Sequence, residues 1–413
     1  MPRTLSAKYI IAYHNGLLIN NQLLILGGIK TTVTETQYSV AFEVFYLDLS
    51  TSFNTTNLTW NLIPEGNLPI YSWFSSANVG LGNSTIFLIG GYIMNKDSLS
   101  YDYSKKVHTY DYPTKKWDTP STFGDIPPRQ LIKGVIDNSG IIYIFGGFNS
   151  TNVDQSGYSG TFYNDIIILN TVTMSWTSLS IVENLPLPRG GYSVNLLPNG
   201  LIVYIGGLKN SVNTGNTTKY TPVDINNINV FDTKKYEWSE VNAVGETIDS
   251  RSFHTSVLTP DGYIIMLGGC VMKGEFANIS FVSPNFALLN TNKSPFEWSI
   301  PESSKNNSPP PLHGHEANLY YNYMIITFGY LVGNNTWLNS TYNENAYLYD
   351  ITNNKWVTSF DPPVIDTPIK EKSSSKTLAI GLGIGGGAVV ILIIIAIIFC
   401  NRKRKVIRIP GSI

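Results

Sequence analysis

The chain has 413 residues, of which only 14% are charged, and its formal net charge is −1. This charged fraction is well below the typical quarter, so hydroxyl and amide side chains must make the surface polar. A nearly neutral chain lacks the net positive charge that is typical of nucleic-acid-binding proteins. The two cysteines, Cys270 and Cys400, provide no intrachain disulfide framework.

An apolar run that ends in a glycine pair recurs along the chain at intervals of 56 to 63 residues. Such even spacing indicates internal structural repeats. The glycine pairs of the first five copies are Gly27 and Gly28, Gly90 and Gly91, Gly146 and Gly147, Gly206 and Gly207, and Gly268 and Gly269. The sixth copy is eroded, and we expect it to keep the first glycine, Gly329, and to lose the second at Tyr330.

Each glycine pair is followed, 27 to 33 residues after its first glycine, by a tryptophan: Trp60, Trp117, Trp176, Trp238, Trp298 and Trp356. In four copies a small polar residue lies six positions earlier, at Asp111, Asn170, Asp232 and Asp350. Turn residues between short apolar runs predict four antiparallel strands per repeat. Such a sheet must stack radially on its neighbours to bury both faces. The glycines then suit close backbone approaches, and each tryptophan fills the gap between two blades.

These landmarks resemble the kelch motif, and six copies cover residues 9–360. The resemblance implies an all-β fold, a six-bladed kelch β-propeller with four antiparallel strands per blade, in the superfamily of the galactose oxidase central domain. The chain is similar to fungal membrane-anchored kelch proteins labelled galactose oxidase-like. It departs from the pattern at Tyr330 and in the longer gap from Asp48 to Trp60. Because each repeat holds its own four strands, ring closure needs no strand exchange between the termini.

Beyond the propeller, residues 361–377 are rich in Pro, Ser and Lys and are predicted to form a stalk. Residues 378–400 contain no charge and are long enough for one transmembrane helix. Residues 401–413 carry a basic cluster, which favours a cytoplasmic tail. The glycines at 381, 383, 385 and 386 match G-x-G-x-x-G, but no βαβ unit surrounds them. Dinucleotide binding is therefore not predicted. Glycines at four-residue spacing could let two helices approach closely and form a dimer in lipid; alternatively, they are merely tolerated in a membrane helix.

Candidate catalytic and metal-binding residues are few. His313 and His315 alternate and could share one face as metal ligands, but His254 and His14 recur at the repeat position of His315. A blade-building role is therefore favoured. The galactose oxidase resemblance suggests copper-radical chemistry, which needs a cysteine crosslinked to a tyrosine. Cys270 is the single candidate, and the copper ligands cannot be matched to this chain. We predict no catalytic residues, no metal and no cofactor.

Three arginines, Arg129, Arg189 and Arg251, each precede a first glycine by 17 residues. A ring of guanidinium groups could grip a carboxylate or a sulfate through bidentate hydrogen bonds. The alternative, which we favour, is that each arginine satisfies backbone carbonyls within its own repeat.

The sequence predicts a non-catalytic, membrane-anchored binding module whose propeller loops, such as Tyr158 to Tyr163, meet a protein or glycan partner. The alternative is an extracellular carbohydrate-active enzyme. The first repeat begins within about ten residues of Met1, which leaves no room for a signal peptide, so we expect a truncated start or insertion directed by the span itself. A tail-anchored, cytosolic propeller stays open, but an extracellular or lumenal propeller is favoured by ten glycosylation sequons at Asn54, Asn57, Asn83, Asn149, Asn216, Asn278, Asn292, Asn306, Asn334 and Asn339.

Overall fold

A computed structural model of the chain describes residues 10–31, 39–154, 157–211, 219–272, 279–302, 306–333 and 341–363. The propeller lies in a compact unit that extends to Pro363. The predicted stalk from residue 364 onward, the predicted membrane helix at 378–400 and the tail at 401–413 lie outside these residues. Within the described ranges, no helix is long and apolar enough to cross a membrane.

Six blades of four antiparallel strands each form a β-propeller, as predicted, and the sheet of blade 5 carries one additional strand. In every blade the strands A, B, C and D follow one another along the chain. Blade 1 consists of Asn15–Ile19, Gln22–Leu26, Val44–Asp48 and Trp60–Leu62. Blade 2 consists of Ser76–Val79, Thr85–Ile89, Val107–Asp111 and Lys116–Asp118. Blade 3 consists of Gly134–Ile136, Ile141–Phe145, Ile166–Asn170 and Ser175–Leu179. Blade 4 consists of Ser193–Leu196, Leu201–Ile205, Asn227–Asp232 and Glu237–Asn242. Blade 5 consists of Thr255–Leu258, Tyr263–Leu267, Phe286–Asn290 and Glu297–Ser299. Blade 6 consists of Glu316–Tyr320, Tyr323–Thr327, Ala346–Asp350 and Lys355–Val357.

The B strands are apolar on both faces because each is covered by two neighbouring blades. In all six, the last four residues are buried. The six recurring tryptophans lie on the D strands and pack against the preceding blade. Trp176 of blade 3 joins a buried cluster with Phe87 of blade 2, and the Trp60 ring of blade 1 lies 5.2 Å from that of Phe328 in blade 6.

The recurring glycines build the joints between blades. The backbone N–H of each second glycine donates to a carbonyl of the next blade over 2.7–2.9 Å, and the six pairs are Gly28 to Ser72, Gly91 to Arg129, Gly147 to Arg189, Gly207 to Arg251, Gly269 to Leu312 and Gly329 to Ile11. At Gly269 the backbone has φ of +90°, and a Cβ would lie 2.8 Å from the Ser252 carbonyl oxygen. The joint therefore requires glycine at this position.

The sixth glycine pair differs from our expectation. Strand B of blade 6 ends at Thr327, so Phe328, with φ of +53°, takes the first glycine position and Gly329, with φ of +92°, takes the second. Gly329 is thus the retained second glycine, and the expected loss at Tyr330 was wrong by one residue. Phe328 is accommodated between blades 6 and 1, where its ring lies 5.6 Å from that of His14.

The longer gap between Asp48 and Trp60 contributes to ring closure. It holds a short strand, Phe53–Asn54, followed by a 3-10 helix, Thr55–Asn57. This strand pairs with Ser359–Phe360, which follows blade 6, and the two phenylalanine rings stack with centroids 4.6 Å apart. A second 3-10 helix spans Pro64–Gly66. The four-stranded blades exchange no strand within the described chain, and the closing contact lies outside them.

Long connections between strands B and C account for the enlarged repeats. They leave the ring at one end, which we call the B–C face, whereas A–B and C–D turns lie at the other end. Part of each connection pairs in a small antiparallel sheet. In blades 1, 2 and 6 the partner strand precedes strand A, and the sheets are Ile10–Ala12 with Ile29–Thr31 and Ser39–Val40, Ile70–Trp73 with Tyr92–Asn95, and Leu312–His313 with Tyr330–Leu331. In blades 3, 4 and 5 both strands lie within the connection, and the sheets are Phe148–Asp154 with Gly157–Phe162, Leu208–Asn210 with Tyr220–Pro222, and Val271–Met272 with Ile279–Ser280. The segment from Tyr158, expected to be a loop, is largely such a strand. Separately, Val244–Gly245 pairs in parallel with strand D of blade 5.

Candidate functional site

A ring of six residues surrounds the propeller axis at the B–C face, one residue from each blade. Its members precede the A strands and share a positive φ between +55° and +66°: Tyr13, Phe74, Leu131, Gly191, Phe253 and Gly314. The backbone N–H of each donates to the carbonyl oxygen of the member before it over 2.8–3.4 Å, and the N–H of Tyr13 donates to Gly314. This closed ring of hydrogen bonds fixes the centre of the fold.

The side chains of this axial ring plug the channel. The Tyr13 ring lies 4.1 Å from the Phe74 ring and 5.7 Å from the Phe253 ring, measured between centroids. Gly314 makes room for them, because a Cβ there would lie 2.5 Å from the Tyr13 ring. Sequence reasoning missed this ring, although its signal is present: the members precede the recurring histidines in Tyr13-His14, Phe253-His254 and Gly314-His315.

Below the plug, one ion pair crosses the channel. The Lys133 Nζ of blade 3 donates to the Glu316 Oε2 of blade 6 over 2.6 Å. Both line a polar cavity of about 140 Å³. Burial raises the pKa of the Glu316 carboxyl, and the positive charge of Lys133 opposes that shift. The pair links opposite blades, and sequence analysis did not identify either residue.

The histidines lie within the joints between blades. The Nε2 of His14 is 3.1 Å from the Thr327 hydroxyl of blade 6, and the Nε2 of His315 is 2.8 Å from the Thr255 hydroxyl of blade 5. The neighbouring His313 contacts the Tyr13 hydroxyl at 2.9 Å. Desolvation lowers the pKa of His14, His254, His313 and His315 to about 3, so their rings stay neutral. The rings of His313 and His315, the two residues considered as metal ligands, thus each have a hydroxyl partner, Tyr13 and Thr255 respectively.

The three arginines are almost fully buried, and each donates from Nη1 to the first-glycine carbonyl of its own repeat. Arg129 also makes a bidentate ion pair with Asp165, over 2.9 and 3.0 Å. The Nε of Arg251 donates to the Asp249 carbonyl. These contacts hold the connection before strand A against the end of strand B, and the guanidinium groups do not meet in one shared site.

Cys270, the cysteine considered for copper-radical chemistry, is buried in the hydrophobic cluster around the axis. Burial raises the pKa of its thiol to about 12, so the nucleophilic thiolate is disfavoured. Across the described ranges, no cluster of three or more His, Cys, Asp or Glu side chains is arranged to hold a metal ion.

Six of the ten sequons lie in the described residues. Asn57, Asn83, Asn292 and Asn306 are exposed, whereas Asn54 and Asn149 are half-buried. The remaining four, at Asn216, Asn278, Asn334 and Asn339, lie outside the described residues.

Comparison with known proteins agrees with this geometry. The family described as the KLHDC2/KLHL20/DRC7 Kelch-repeats domain matches residues 12–207. This match supports the assignment of kelch repeats to this part of the chain. The kelch propeller also matches a solved structure titled "Structure of YjhT" with a TM-score of 0.59 and 14% identity, over 84% of this chain and 97% of that one. At this identity, the likeness concerns the fold alone.

Among curated relatives, "Kelch domain-containing protein 3" of Rattus norvegicus is 27% identical over 231 residues, or 52% of this chain. "Kelch domain-containing protein 1" of Mus musculus is 24% identical over 285 residues, covering 66% of this chain and 65% of the relative. The chain spans about half the length of the first relative, at 54%. Both names describe kelch domains.

Proposed function

We propose that this kelch propeller is a non-catalytic binding module that engages a protein partner through its B–C face. The observation that carries the proposal is the common direction of the six B–C connections. Kelch-repeat propellers typically mediate protein interactions, and long connections on a rigid scaffold are where binding residues concentrate.

Exposed apolar side chains support this face as the interaction surface. Leu99, in the B–C connection of blade 2, is 63% exposed, and Phe281, in that of blade 5, is 44% exposed. Nearby, the rings of Tyr101 and Tyr103 stack with an interplanar angle of 4°. Aromatic and large apolar residues of this kind are enriched at the centres of protein interfaces.

The residue types that could perform chemistry have structural roles instead. His14 and His315 bond across blade joints, the arginines bind backbone carbonyls, and the Cys270 thiol is buried. This use of the reactive side chains favours binding over the carbohydrate-oxidising alternative. Metal analysis of the purified full chain tests the choice, because stoichiometric copper would support the enzyme and contradict the binding module.

Removing one B–C hairpin tests the binding face. The register pairs Phe148 with Phe162, so residues 149–161 can be replaced by Asn-Gly, which favours a two-residue hairpin turn. We expect an unchanged blade and loss of the proteins that crosslink to the wild-type chain in its own cells. Val172→Ser, in the C–D turn of the same blade at the opposite end, is the control and should keep them. Equal recovery with the shortened hairpin would contradict the proposal.

We further propose a single-pass membrane protein with an extracellular or lumenal propeller and a cytoplasmic tail. The uncharged segment at 378–400, the basic residues behind it and the ten sequons support this arrangement. In fungal cells, protease applied outside intact cells should cut the propeller, and deglycosylation should increase its mobility. A fully protected propeller with no mobility change would instead support a cytosolic, tail-anchored scaffold.

A further inference from the structure

A cleft beside blade 4 contains a buried arginine that lacks the acidic partner of its counterpart in blade 3. The strand register equates Ile167 with Asn229, because each faces the residue two positions before a first glycine. Asn227 and Asp165 each lie two positions before these residues, although the connection that leads to Asn227 is two residues longer, counted from Val223 and Tyr163, which donate to equivalent second-glycine carbonyls. Asp165 forms the bidentate ion pair with Arg129, whereas an asparagine offers Arg189 no negative charge.

The guanidinium of Arg189 makes fewer hydrogen bonds than that of Arg129. Its Nη1 donates to the Gly206 carbonyl oxygen over 3.2 Å. Its buried Nε has no hydrogen-bond partner in the described part of the chain, and the same is true of Arg129, so the difference between the two arginines is the Asp165 carboxylate at Nη1 and Nη2 of Arg129. The residue is only 1% exposed. Burial lowers the pKa of Arg189 to about 10, so the group is still charged at neutral pH. A buried charge without an ion-pair partner is costly, and a ligand that supplies a carboxylate gains that interaction.

The cleft is large enough for such a ligand. It has a volume of about 560 Å³, within the range of roughly 300–1,000 Å³ that small-molecule sites occupy. Its walls carry Asn229 and Ser239, which donate and accept hydrogen bonds, Lys209, which donates them, and the carboxylates of Asp224 and Glu240, which accept them. Leu187 and Val223 add aliphatic surface. This combination provides one site for a carboxylate, several partners for hydroxyl groups and an apolar wall for a carbon chain.

We propose that this cleft binds a small polyhydroxylated carboxylate, whose carboxylate pairs with Arg189 and whose hydroxyl groups bond to the polar wall. The site goes beyond the proposed protein-binding function. It lies between the connection from blade 3, the outer strands of blade 4 and the B–C connection of blade 4, which contributes Lys209 and Val223. The protein-binding test shortens a hairpin of blade 3 and the ligand test changes Asn227, so the two proposals can fail independently.

Three six-carbon probes test the proposal on the full chain purified in detergent, by calorimetry or ligand-observed NMR. D-gluconate has both the carboxylate and the hydroxyl groups, D-glucitol lacks the carboxylate, and hexanoate lacks the hydroxyl groups. We expect saturable binding of gluconate and at least tenfold weaker binding of the other two. Absence of saturable gluconate binding, or equal binding of glucitol or hexanoate, would overturn the proposal.

Asn227→Asp is the decisive variant, because it restores the carboxylate that Arg129 already has in blade 3 and should not disturb folding. We expect it to weaken gluconate binding at least tenfold while leaving the melting temperature unchanged or higher. Asn170→Asp is the matched control: it adds the same charge at a turn where other repeats carry aspartate, such as Asp232. It should bind gluconate as the wild type does. Undiminished binding by Asn227→Asp, or an equal loss in the control, would refute recognition through Arg189.

Discussion

Replacing Trp176 with alanine tests whether the recurring tryptophans hold adjacent blades together. Trp176 is 8% exposed, and its cluster contains Phe87 of blade 2 and Leu169 of blade 3. A tryptophan buries about 200 Å², which at about 25 cal/mol per Å² gives an upper bound of about 5 kcal/mol. Truncation of a buried tryptophan typically costs about 3–5 kcal/mol. We therefore expect a loss of about 3–5 kcal/mol in the free energy of unfolding.

Urea denaturation followed by circular dichroism and by fluorescence measures this loss, provided that the two transitions coincide. Trp117→Ala is the matched control at the same repeat position. That ring is only half-buried, although its Nε1 donates to the Gly66 carbonyl over 2.7 Å, so its removal should cost less. A Trp176→Ala protein within about half a kcal/mol of wild type would refute the role of the tryptophan as a wedge between blades.

Three further predictions concern the joints between blades. Gly269→Ala should cost about 2–4 kcal/mol in thermal unfolding, because it adds a clash to an unfavourable φ, whereas Gly82→Ala, with positive φ but open space around it, should cost less. Arg129→Lys should lose about 1–3 kcal/mol, since an ammonium cannot replace the fork that binds Asp165 and a carbonyl; unchanged stability would contradict this. The pKa of His254 is about 3 in the folded chain against 6.5 ordinarily, so the unfolded chain binds the proton first. Stability should therefore fall by about 1.4 kcal/mol per pH unit per such histidine as pH drops below 6.5, and His254→Gln should reduce that slope in a urea series.

Much of the fold could be predicted because each landmark has one strong physical constraint. A second glycine such as Gly269 is required by a positive φ and by a carbonyl within van der Waals distance, and a D-strand tryptophan such as Trp298 fills a fixed volume. The polar residue that precedes the tryptophan in four repeats is equally constrained, since the Asp232 carboxylate accepts two backbone N–H groups of the C–D turn. These requirements recur from blade to blade, so the sequence repeats them.

The remaining features depend on geometry between distant residues. Lys133 and Glu316 are 183 positions apart and meet only because six blades bring opposite strands to one axis. The Phe328 register was misjudged because a residue other than glycine rarely adopts positive φ. The cleft beside Arg189 combines residues of the connection from blade 3, such as Leu187, with Ser239 of strand D in blade 4, which a repeat pattern cannot indicate.

Site-specific photo-crosslinking most directly tests the claim that the B–C face binds a partner. A benzophenone amino acid is placed at Leu99 or Phe281 on that face, and at Val172 or Tyr236 in the turns of the opposite face, where both are also exposed. In the native cell, we predict the same protein adduct from both B–C positions and none from the two control positions. Adducts formed equally from both faces, or only from the control positions, would contradict the proposed binding surface.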